Sequence, residues 1–417
     1  MSLLVQKFGG TSVGTTERIQ NVARRLLETQ RQGNRVAAVV SAMSGETNRL
    51  TGLAKEVSEG RDPTEREMDV LLSSGEQVSI ALTAMAINSM GGKAISLTGA
   101  QAGITTDGEH TRARISNIDC EDVHELLDEG HIVIIAGFQG LSPDGLVTTL
   151  GRGGSDLTAI AMAAALEADL CQIFTDVEGV YTCDPRVVPD ARKLPEISYD
   201  EMLEMASSGT KVMQSRSVEF AKKFGVKFEV RSSFNGNPGT IVTEEHEKME
   251  AVVIRGVSLE RKQAQVTITN VPDEPGLASR IFNSIADAGI VIDMIVQNIS
   301  HQTKATDISF TLHENDLGKA EETLRPIAES MGGGAVELAT HSGIAKLSVV
   351  GIGMRSHSGV AAKMFSALAE AGINIRMITT SEIKTAVIVR EDKVDEGAKV
   401  VHAAFGLSNN PVEDETV

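Results

Sequence analysis

The sequence predicts an α/β protein with an open, mainly parallel sheet between helices, followed by two small βαββαβ modules. The start of the chain supports the first part. A strand-like run (residues 3–8), a Gly-Gly turn, an amphipathic helix and a second apolar run (35–41) are the order that begins a parallel α/β sheet. An internal repeat in the last third supports the second part, because each copy reads as strand, helix, two strands and helix.

Composition narrows the class of protein. The 417 residues suffice for two or three domains, and 41% hydrophobic with 23% charged residues is typical of a globular protein. A formal net charge of −18 disfavours nucleic acid as a partner. The cysteines lack CxxC spacing and indicate neither a disulfide framework nor a metal site. No run has the form of a signal peptide or spans a membrane without charges, so we expect a cytoplasmic protein with no membrane partner.

The other elements of the first domain follow from apolar periodicity. An apolar face that includes Ile19, Val22 and Leu26 marks the first helix. The run 66–90 is predicted as two helices, interrupted at Ser73-Ser74-Gly75-Glu76 so that Glu76 lies at the start of the second. Further strands are predicted at 94–98, 131–136, 171–175, 226–230 and 240–242, and a further helix at 213–224.

A glycine-rich loop, Gly151-Arg152-Gly153-Gly154, precedes an apolar helix that we expect to begin with Ser155 as its N-cap. The free N–H groups of such a helix start bind anions, and Arg152 adds a planar group for a carboxylate or phosphate. In isolation the loop could equally be a tight turn with a solvated arginine. Neither GxxxxGK[ST] nor GxGxxG occurs, so a phosphate-binding enzyme of another lineage is indicated.

Polar residues collect where the predicted strands end. Because the carboxyl ends of parallel strands meet at one edge of a sheet, we expect the glycines to lie there with Lys7, Ser41, Arg152, Asp156, Asp176 and Arg186. Taken singly, these residues also have structural interpretations. Lys7 could extend from a strand end into solvent, Glu76 could complement a helix dipole, and Tyr181 could be half-buried instead of stacking on a base.

Five spaced motifs in the first domain form a recognisable set. They are Val5-Gln6-Lys7-Phe8-Gly9-Gly10-Thr11-Ser12, Val40-Ser41-Ala42-Met43, Gly75-Glu76, Gly151 to Asp156, and Thr175 to Arg186. This set resembles the motifs of the aspartate kinases in the amino-acid-kinase family, in particular the lysine- and threonine-regulated type. The resemblance implies the amino-acid-kinase fold and an ATP- and Mg²⁺-dependent reaction. In that reaction the side-chain carboxylate of L-aspartate becomes 4-phospho-L-aspartate, the first step of lysine, threonine and methionine biosynthesis.

The resemblance also implies roles for single residues. Lys7 and Asp156 would be catalytic, with Lys7 stabilising the transferred phosphoryl group and Asp156 orienting Lys7. Arg152 would bind the α-carboxylate of aspartate, and Glu76 its α-ammonium. The other substrate residues would be Ser41, Thr47, Gly153, Gly154 and Ser155, and the nucleotide would contact Lys7, Gly9, Gly10, Ser41, Thr175, Asp176, Tyr181, Arg186 and Lys211. The attacking carboxylate is ionised near neutral pH, so no general base is required.

The internal repeat has an offset of 83 residues: 276–295 aligns without gaps on 359–378, with identities at half of the positions. Each copy resembles the ACT domain, a ferredoxin-like module that binds small molecules. The second copy runs out before its last strand, and we expect the run 251–259 to supply it, so that one module is inserted within the other. The expected domains are 1–245 (catalytic), 246–263 (linker and this strand), 264–342 (first module) and 343–417 (second module and acidic tail).

Lysine and threonine are the feedback inhibitors that the resemblance implies. We expect effector contacts at the turns and strand starts of the two modules: Asp273, Gly276, Ala278, Asp293 and Gln297 in one, and Asn374, Ile375 and Ser381 in the other. Exposed edges of the small sheets predict a homodimer or higher oligomer. Met249 would allow an internal start that gives a separate regulatory subunit.

Two alternatives remain from the sequence alone. One is another kinase of the same fold, acting on glutamate, acetylglutamate, carbamate or uridylate. Glu76, as a partner for a free ammonium group, and the paired modules disfavour it. The other is an amino-acid sensor subunit with an inactive kinase half, which the presence of Lys7, Arg152 and Asp156 disfavours.

Overall fold

The computed structural model describes residues 1–207, 212–246, 253–299, 305–332 and 336–408. The chain divides into two compact units. The first contains the described parts of Met1–Tyr181, Lys193–Ser207 and Lys211–Met249. The second contains those of Thr182–Arg192, Ser208–Thr210 and Glu250–Val417. The chain therefore passes from the first unit into the second at Thr182 and returns to the first at Lys193.

The first unit has helices and strands in an order that follows the α/β prediction. They are β1 (Leu3–Phe8), α1 (Thr16–Arg31), β2 (Arg35–Val40), α2 (Glu46–Val57), α3 (Glu65–Ser89), β3 (Ala94–Leu97), β4 (Ile104–Thr106), β5 (Ile115–Ile118), α4 (Glu121–Asp128), β6 (Ile132–Ala136), β7 (Gln139–Leu141), β8 (Val147–Thr149), α5 (Gly154–Ala165), β9 (Leu170–Thr175), β10 (Glu196–Ser198), α6 (Tyr199–Ser207), α7 (Ser215–Phe224), β11 (Phe228–Ser232) and β12 (Thr240–Thr243).

The main sheet has the strand order β10-β12-β11-β9-β1-β2-β6-β3 and is parallel except for the β11–β12 pair. The central strand β1 lies between β2 and β9, with Phe8 opposite both Val40 and Phe174. This register aligns the carboxyl ends of the three strands, as the prediction of a parallel sheet requires. The apolar face of α1, predicted from Ile19 to Leu26, packs into one core cluster with these strands.

A second sheet of the first unit was not predicted from the sequence. Its order is β5-β4-β7-β8, and its strands have only three or four residues each. Strands this short show too few alternations to produce a periodic signal. The sheet matters for the site because β8 ends at Thr149, directly before the glycine-rich loop.

Helix α3 corrects one expectation. It is a single helix of 25 residues, so Glu76 lies within it and not at the start of a second helix. The hydroxyls of Ser73 and Ser74 donate to carbonyls of the preceding turn, which keeps these residues compatible with the helix. Gly75 serves close packing, because a Cβ there would lie 2.9 Å from the Cβ of Ala42. The Ser-Ser-Gly run is thus a packing feature and not a break.

By length and composition alone, α3 would suffice to cross a membrane. In the fold, however, it packs against α1, α2 and β3, and its buried residues include the carboxylates of Asp69 and Glu76. This environment is that of a core helix in a globular unit.

The second unit is built from ten strands and helices within its described residues. They are β13 (Gly256–Pro272), α8 (Leu277–Asp287), β14 (Ile292–Ile299), β15 (Ala305–His313), α9 (Leu317–Gly332), β16 (Glu337–Val350), α10 (Val360–Glu370), β17 (Met377–Thr380), β18 (Lys384–Arg390) and α11 (Val394–Ala404).

These strands form one antiparallel sheet in the order β14-β15-β13-β16-β18-β17. The two copies of the repeat are related in structure as in sequence. Gly276 and Gly359 occupy equivalent N-cap positions of α8 and α10 and share a φ of +92°. The predicted βαββαβ modules are therefore two halves of a single sheet.

Strands β13 and β16 each run through both halves of this sheet. Residues 256–260 of β13 pair with 346–350 of β16, and residues 265–269 pair with 337–341. The described part of the expected strand 251–259 is therefore not a separate strand. It is continuous with the first strand of the first module, and together they form β13. Residues 263 and 342, the predicted boundaries of the modules, lie inside β13 and β16.

Candidate active site

A cleft of about 310 Å³ opens at the carboxyl ends of the central strands of the first unit. We call it the cleft throughout. It is lined by Lys7, Gly10, Ser41, Ala42, Met43, Ser44, Gly45, Thr47, Glu76, Phe138, Gly151, Arg152, Gly153, Gly154, Ser155 and Asp156. Four of the five sequence motifs contribute to this lining, so residues far apart in the chain meet where the parallel sheet predicts a ligand.

Lys7 and Asp156, the two predicted catalytic residues, form an ion pair in the cleft. The Lys7 Nζ lies 2.5 Å from an Asp156 carboxylate oxygen, and both side chains are largely buried. Lys7 is the penultimate residue of β1, and Asp156 lies in the first turn of α5. The pair holds an ammonium group at a helix N-terminus, where a negatively charged ligand is favoured.

Glu76 contributes a buried carboxylate to the lining of the cleft. Its Oε1 accepts a hydrogen bond of 2.9 Å from the Ala42 N–H, whereas Oε2 is buried and has no hydrogen-bond partner among the described residues. The residue is 4% exposed, and this burial raises its pKa to about 7. A buried acceptor without a partner is costly, and a cationic ligand group would satisfy it.

The glycine-rich loop leads from β8 into α5. Gly153 is the N-cap of α5 and adopts a φ of +74°, which glycine tolerates without strain. The prediction that Ser155 is the N-cap is therefore wrong, because the helix begins at Gly154 and Ser155 lies in its first turn. Arg152 is exposed at the cleft. The loop places a guanidinium beside the N-terminus of α5, as the anion-binding interpretation requires.

The segment after β2 forms another wall of the cleft. Ser41 follows β2 directly, and Gly45 caps helix α2. Thr47 lies in the first turn of α2, so the polar stretch that reads as a turn in the sequence already contains the helix start. Ser41 and Thr47 both line the cleft, as expected for residues that contact the substrate.

Several predicted nucleotide residues do not line the cleft. The N–H of Gly9 donates to the Phe174 carbonyl at 3.3 Å, so its expected role as a phosphate donor is not supported in this arrangement. Thr175 ends β9 and donates from its hydroxyl to Asp176. Tyr181 forms an isolated β-bridge with Lys193, and burial raises the pKa of its hydroxyl.

Two further nucleotide predictions fall outside the first unit or outside the described residues. Arg186 belongs to the second unit, where its guanidinium pairs with Asp184 at 2.8 Å. Lys211 lies outside the described residues, and so does Met249, the predicted internal start. The nucleotide roles of Thr175, Asp176, Tyr181, Arg186 and Lys211 remain predictions.

Sequence reasoning missed two features near the cleft. Phe138 lines it and has a φ of +70°, which is uncommon for a non-glycine residue. Asp69 is fully buried on α3 and contacts Thr149 and His110, both distant in sequence. The signal for Asp69 was its position seven residues before Glu76, on the same face of a helix whose neighbours on that face are small or apolar.

The predicted effector residues lie at the turns and strand ends of the second unit. Asp273 and Gly276 lie in the turn between β13 and α8, and Ala278 lies in the first turn of α8. Asp293 and Gln297 lie on β14, Asn374 and Ile375 precede β17, and Ser381 follows it. Asp293 forms an ion pair with Lys346, whose side chain is only 2% exposed. The effector roles of these residues remain predictions.

Comparison with known proteins identifies the family. Residues 2–232 match the amino acid kinase family, and residues 265–329 and 347–405 each match the ACT domain. An aspartate kinase of Stutzerimonas stutzeri is 52% identical over 408 residues, with 98% of each chain covered.

Two crystal structures of E. coli aspartokinase III share the fold. One, in complex with aspartate and ADP, has a TM-score of 0.80 at 24% identity, covering 96% of this chain and 99% of that one. The other, with lysine and aspartate, has a TM-score of 0.77 at 25% identity, covering 97% and 99%.

The chain belongs to the amino acid kinase family, and its second unit carries two ACT domains. Within that family, its identity over nearly the whole length of curated relatives makes it an aspartate kinase. The prediction of the family, the fold class and the activity from five motifs and a repeat is confirmed.

Proposed function

We propose that the cleft is where this aspartate kinase binds L-aspartate and transfers a phosphoryl group from ATP to its side-chain carboxylate. The observation that carries the proposal is Glu76, which lines a cleft that also holds Arg152 and Lys7 and whose buried Oε2 has no hydrogen-bond partner among the described residues. A buried acceptor and two cationic groups match the one ammonium and two carboxylates of aspartate.

The chemistry requires placement and charge compensation more than proton transfer. The attacking carboxylate is already ionised near neutral pH, so the cleft needs no general base. Arg152 and Glu76 hold the α-carboxylate and the α-ammonium, which fixes the direction of the side chain. Lys7 stabilises negative charge on the transferred group, and Asp156 holds the Lys7 ammonium in place.

The residues present fit ATP and Mg²⁺. Gly10 and the N-terminus of α5 line the cleft and supply features that bind phosphates. The parts of the chain that the structure describes hold no cluster of three or more His, Cys, Asp or Glu side chains suited to a metal. This fits a Mg²⁺ held mainly by nucleotide phosphates and water. When bound, ATP supplies the phosphoryl group and Mg²⁺ offsets the charge of its phosphates.

The second unit is proposed to bind lysine and threonine as feedback inhibitors. A crystal structure of the E. coli enzyme contains lysine, which supports lysine as an effector here. Ile295 and Ile378 are exposed at equivalent positions of the edge strands β14 and β17, which supports assembly into a homodimer or higher oligomer. An effector that favours one state of the enzyme shifts its affinity for substrate by typically about 1–3 kcal/mol. We expect the enzyme to act in the cytoplasm.

An assay of acyl phosphate, trapped as its hydroxamate, tests the proposed site. The purified enzyme is given ATP, Mg²⁺ and either L-aspartate or N-acetyl-L-aspartate, which lacks the ammonium group. Turnover with L-aspartate and a loss of about 100-fold or more in kcat/KM with the acetylated compound are expected, since the buried Glu76 carboxylate is then left unpaired. Equal turnover of both compounds would contradict the role of Glu76.

Glu76→Gln distinguishes a specific role from general damage. The variant should lose most of its activity toward L-aspartate and discriminate less between the two compounds. Lysine and threonine, added singly and together to the wild-type assay, test regulation separately. No inhibition by the two amino acids, added singly or together, would contradict the effector proposal and leave the catalytic proposal unaffected.

A further inference from the structure

A fully buried carboxylate outside the cleft joins three segments of the first unit. Asp69 Oδ1 accepts a hydrogen bond of 2.5 Å from the Thr149 hydroxyl, and Oδ2 lies 2.6 Å from His110 Nδ1. The Thr111 N–H donates to both oxygens, at 3.0 and 3.1 Å. Burying a carboxylate is expensive unless hydrogen bonds satisfy it, and here every oxygen has at least two partners.

The partners of Asp69 contact or directly precede the glycine-rich loop that carries Arg152. Thr149 is the last residue of β8, three positions before Arg152. The segment of His110 and Thr111 lies beside the same loop, since a Cβ on Gly151 would lie 3.2 Å from the Thr111 carbonyl oxygen. Thr111 adopts a φ of +62°, a conformation that a non-glycine residue holds only when its surroundings require it.

A second side chain, Arg216, holds the start of the glycine-rich loop without involving Asp69. The Arg216 guanidinium donates to the Leu150 carbonyl and to the Ala113 carbonyl, each at 2.9 Å. Side chains thus hold the segment from Thr149 to Gly151 at two points, of which only the Asp69 contact reaches α3. Backbone hydrogen bonds from the Ala113 N–H to the Thr149 carbonyl and from the Leu150 N–H to the Phe138 carbonyl, each 2.9 Å, hold it as well.

Helix α3 also carries Glu76, the proposed ammonium partner. Asp69 and Glu76 are seven residues apart, two turns of the helix or roughly 10 Å, on the same buried face. Between them, the Ser73 carbonyl accepts a hydrogen bond from the Gln139 side chain. One rigid helix therefore holds Glu76 directly and the loop of Arg152 through Asp69.

We propose that Asp69 is a positioning residue for aspartate binding. By joining α3 to Thr149, it sets the separation between the groups that bind the α-ammonium and the α-carboxylate, and so selects an L-α-amino acid of this size. The inference rests on the proposed role of Arg152. It concerns only the substrate amino acid, because none of these contacts involves Lys7 or Gly10.

The test compares variants of the full-length enzyme by the KM for each substrate. Asp69→Asn keeps the volume and removes the charge. Thr149→Val removes only the hydroxyl donor, and Thr149→Ser restores it. Glu67→Gln, on the exposed face of the same helix, is the control. Arg152→Gln is measured beside them.

Asp69→Asn and Thr149→Val should raise the KM for aspartate at least fivefold and leave the KM for ATP within twofold. They should also lower the preference for L- over D-aspartate. Thr149→Ser should recover most of the lost affinity, and Glu67→Gln should match the wild type. Loss of kcat or thermal stability with an unchanged ratio of the two KM values would reveal a merely structural role and overturn the inference.

Arg152→Gln separates this inference from the proposed function. If that variant keeps its KM for aspartate, the role of Arg152 fails and the inference fails with it. If Arg152→Gln raises that KM and Asp69→Asn does not, only the inference is overturned.

Discussion

Glu76 and Ala42 are joined by a hydrogen bond from the Ala42 N–H to the Glu76 carboxylate, at 2.9 Å. The contact fixes one carboxylate oxygen, and the other, Oε2, is buried without a hydrogen-bond partner among the described residues. Because Glu76 is buried, its pKa lies near 7, far above that of a solvated glutamate. In the proposed site, the substrate ammonium would therefore meet a carboxylate whose charge depends on pH in the physiological range.

The KM for aspartate should therefore rise as the pH falls. Only the ionised form of Glu76 attracts an ammonium group, and with a pKa of about 7 the ionised fraction falls about tenfold between pH 8 and pH 6. Steady-state kinetics across this range should show a KM for aspartate about tenfold higher at pH 6. In Glu76→Gln the KM should be high and constant. A wild-type KM that does not change with pH would contradict this account.

The same carboxylate should reduce folding stability above neutral pH. Its folded-state pKa of about 7 exceeds the 4.5 of a solvated glutamate, so between pH 4.5 and 7 the folded chain holds a proton that the unfolded chain has released. Stability due to this group therefore falls as pH rises through that window. At pH 8, Glu76→Gln should unfold at a higher urea concentration than the wild type. Its free energy of unfolding should be greater by on the order of 1–3 kcal/mol, and the difference should be smaller at pH 5. Equal stability at pH 8 would argue against a strained carboxylate.

Gly75→Ala tests the packing that brings α3 to Ala42. The added Cβ would lie 2.9 Å from the Ala42 Cβ, so the helix and the segment after β2 must separate. We expect a loss of about 1–3 kcal/mol in stability and a higher KM for aspartate. Gly52→Ala in α2 is the matched control, because a Cβ there meets nothing within 4 Å. It should stabilise the protein by about 0.5–1 kcal/mol. If both variants were equally stable, close packing would not explain Gly75.

Lys7→Met should affect the rate more than the binding of aspartate. Removing a cation that stabilises the transferred group is expected to lower kcat by about 10²–10³-fold. The KM for aspartate should change little, because Arg152 and Glu76 remain. Lys55→Met, on the exposed face of α2, controls for loss of charge. A Lys7→Met variant that keeps its kcat would remove Lys7 from the proposed mechanism.

Lys346→Met should alter the response to effectors. Burial alone would lower the pKa of Lys346, but the nearby carboxylates of Asp293 and Glu260 raise it above its usual value, so the lysine stays charged. Removing it frees Asp293, a proposed effector contact, to pair with an effector ammonium. We expect inhibition at a severalfold lower lysine concentration, measured as the half-inhibitory value. Lys363→Met, on α10, is the control. An unchanged value would exclude Asp293 as a lysine contact.

Much of the fold could be predicted because its signals are local. Apolar runs such as 132–136 and the helical face of α1 report burial within a few residues of sequence. The repeat identified the second unit in the same way. Lys7, Ser41 and Arg152 of the cleft could be located because they lie at or after predicted strand ends, a rule that depends only on sheet topology. Glu76 and Thr47 lie within helices, and only the resemblance to the family indicated them.

The missed features depend on partners distant in sequence. The Ser-Ser-Gly run in α3 appeared to be a break, since its fit depends on Ala42 in another segment. Asp69 requires His110 and Thr149, 41 and 80 positions away, to explain its burial. The sequence predicted two separate strands where the structure has the single strand β13. The two parts of β13 are joined through a bulge near Lys262, where the register shifts and φ is +57°.

Strands β13 and β16 are shared by the two ACT domains. Neither domain could be excised or exchanged with that of a relative without cutting a strand that the other needs. An engineer who wished to transplant the effector response of another aspartate kinase would have to graft the block from 256 to 404 as one piece. For the same reason, a substitution in either half that loosens this shared pair would alter both sets of proposed effector residues. If lysine and threonine both regulate the enzyme as proposed, a variant that loses the response to one of them should also change in its response to the other.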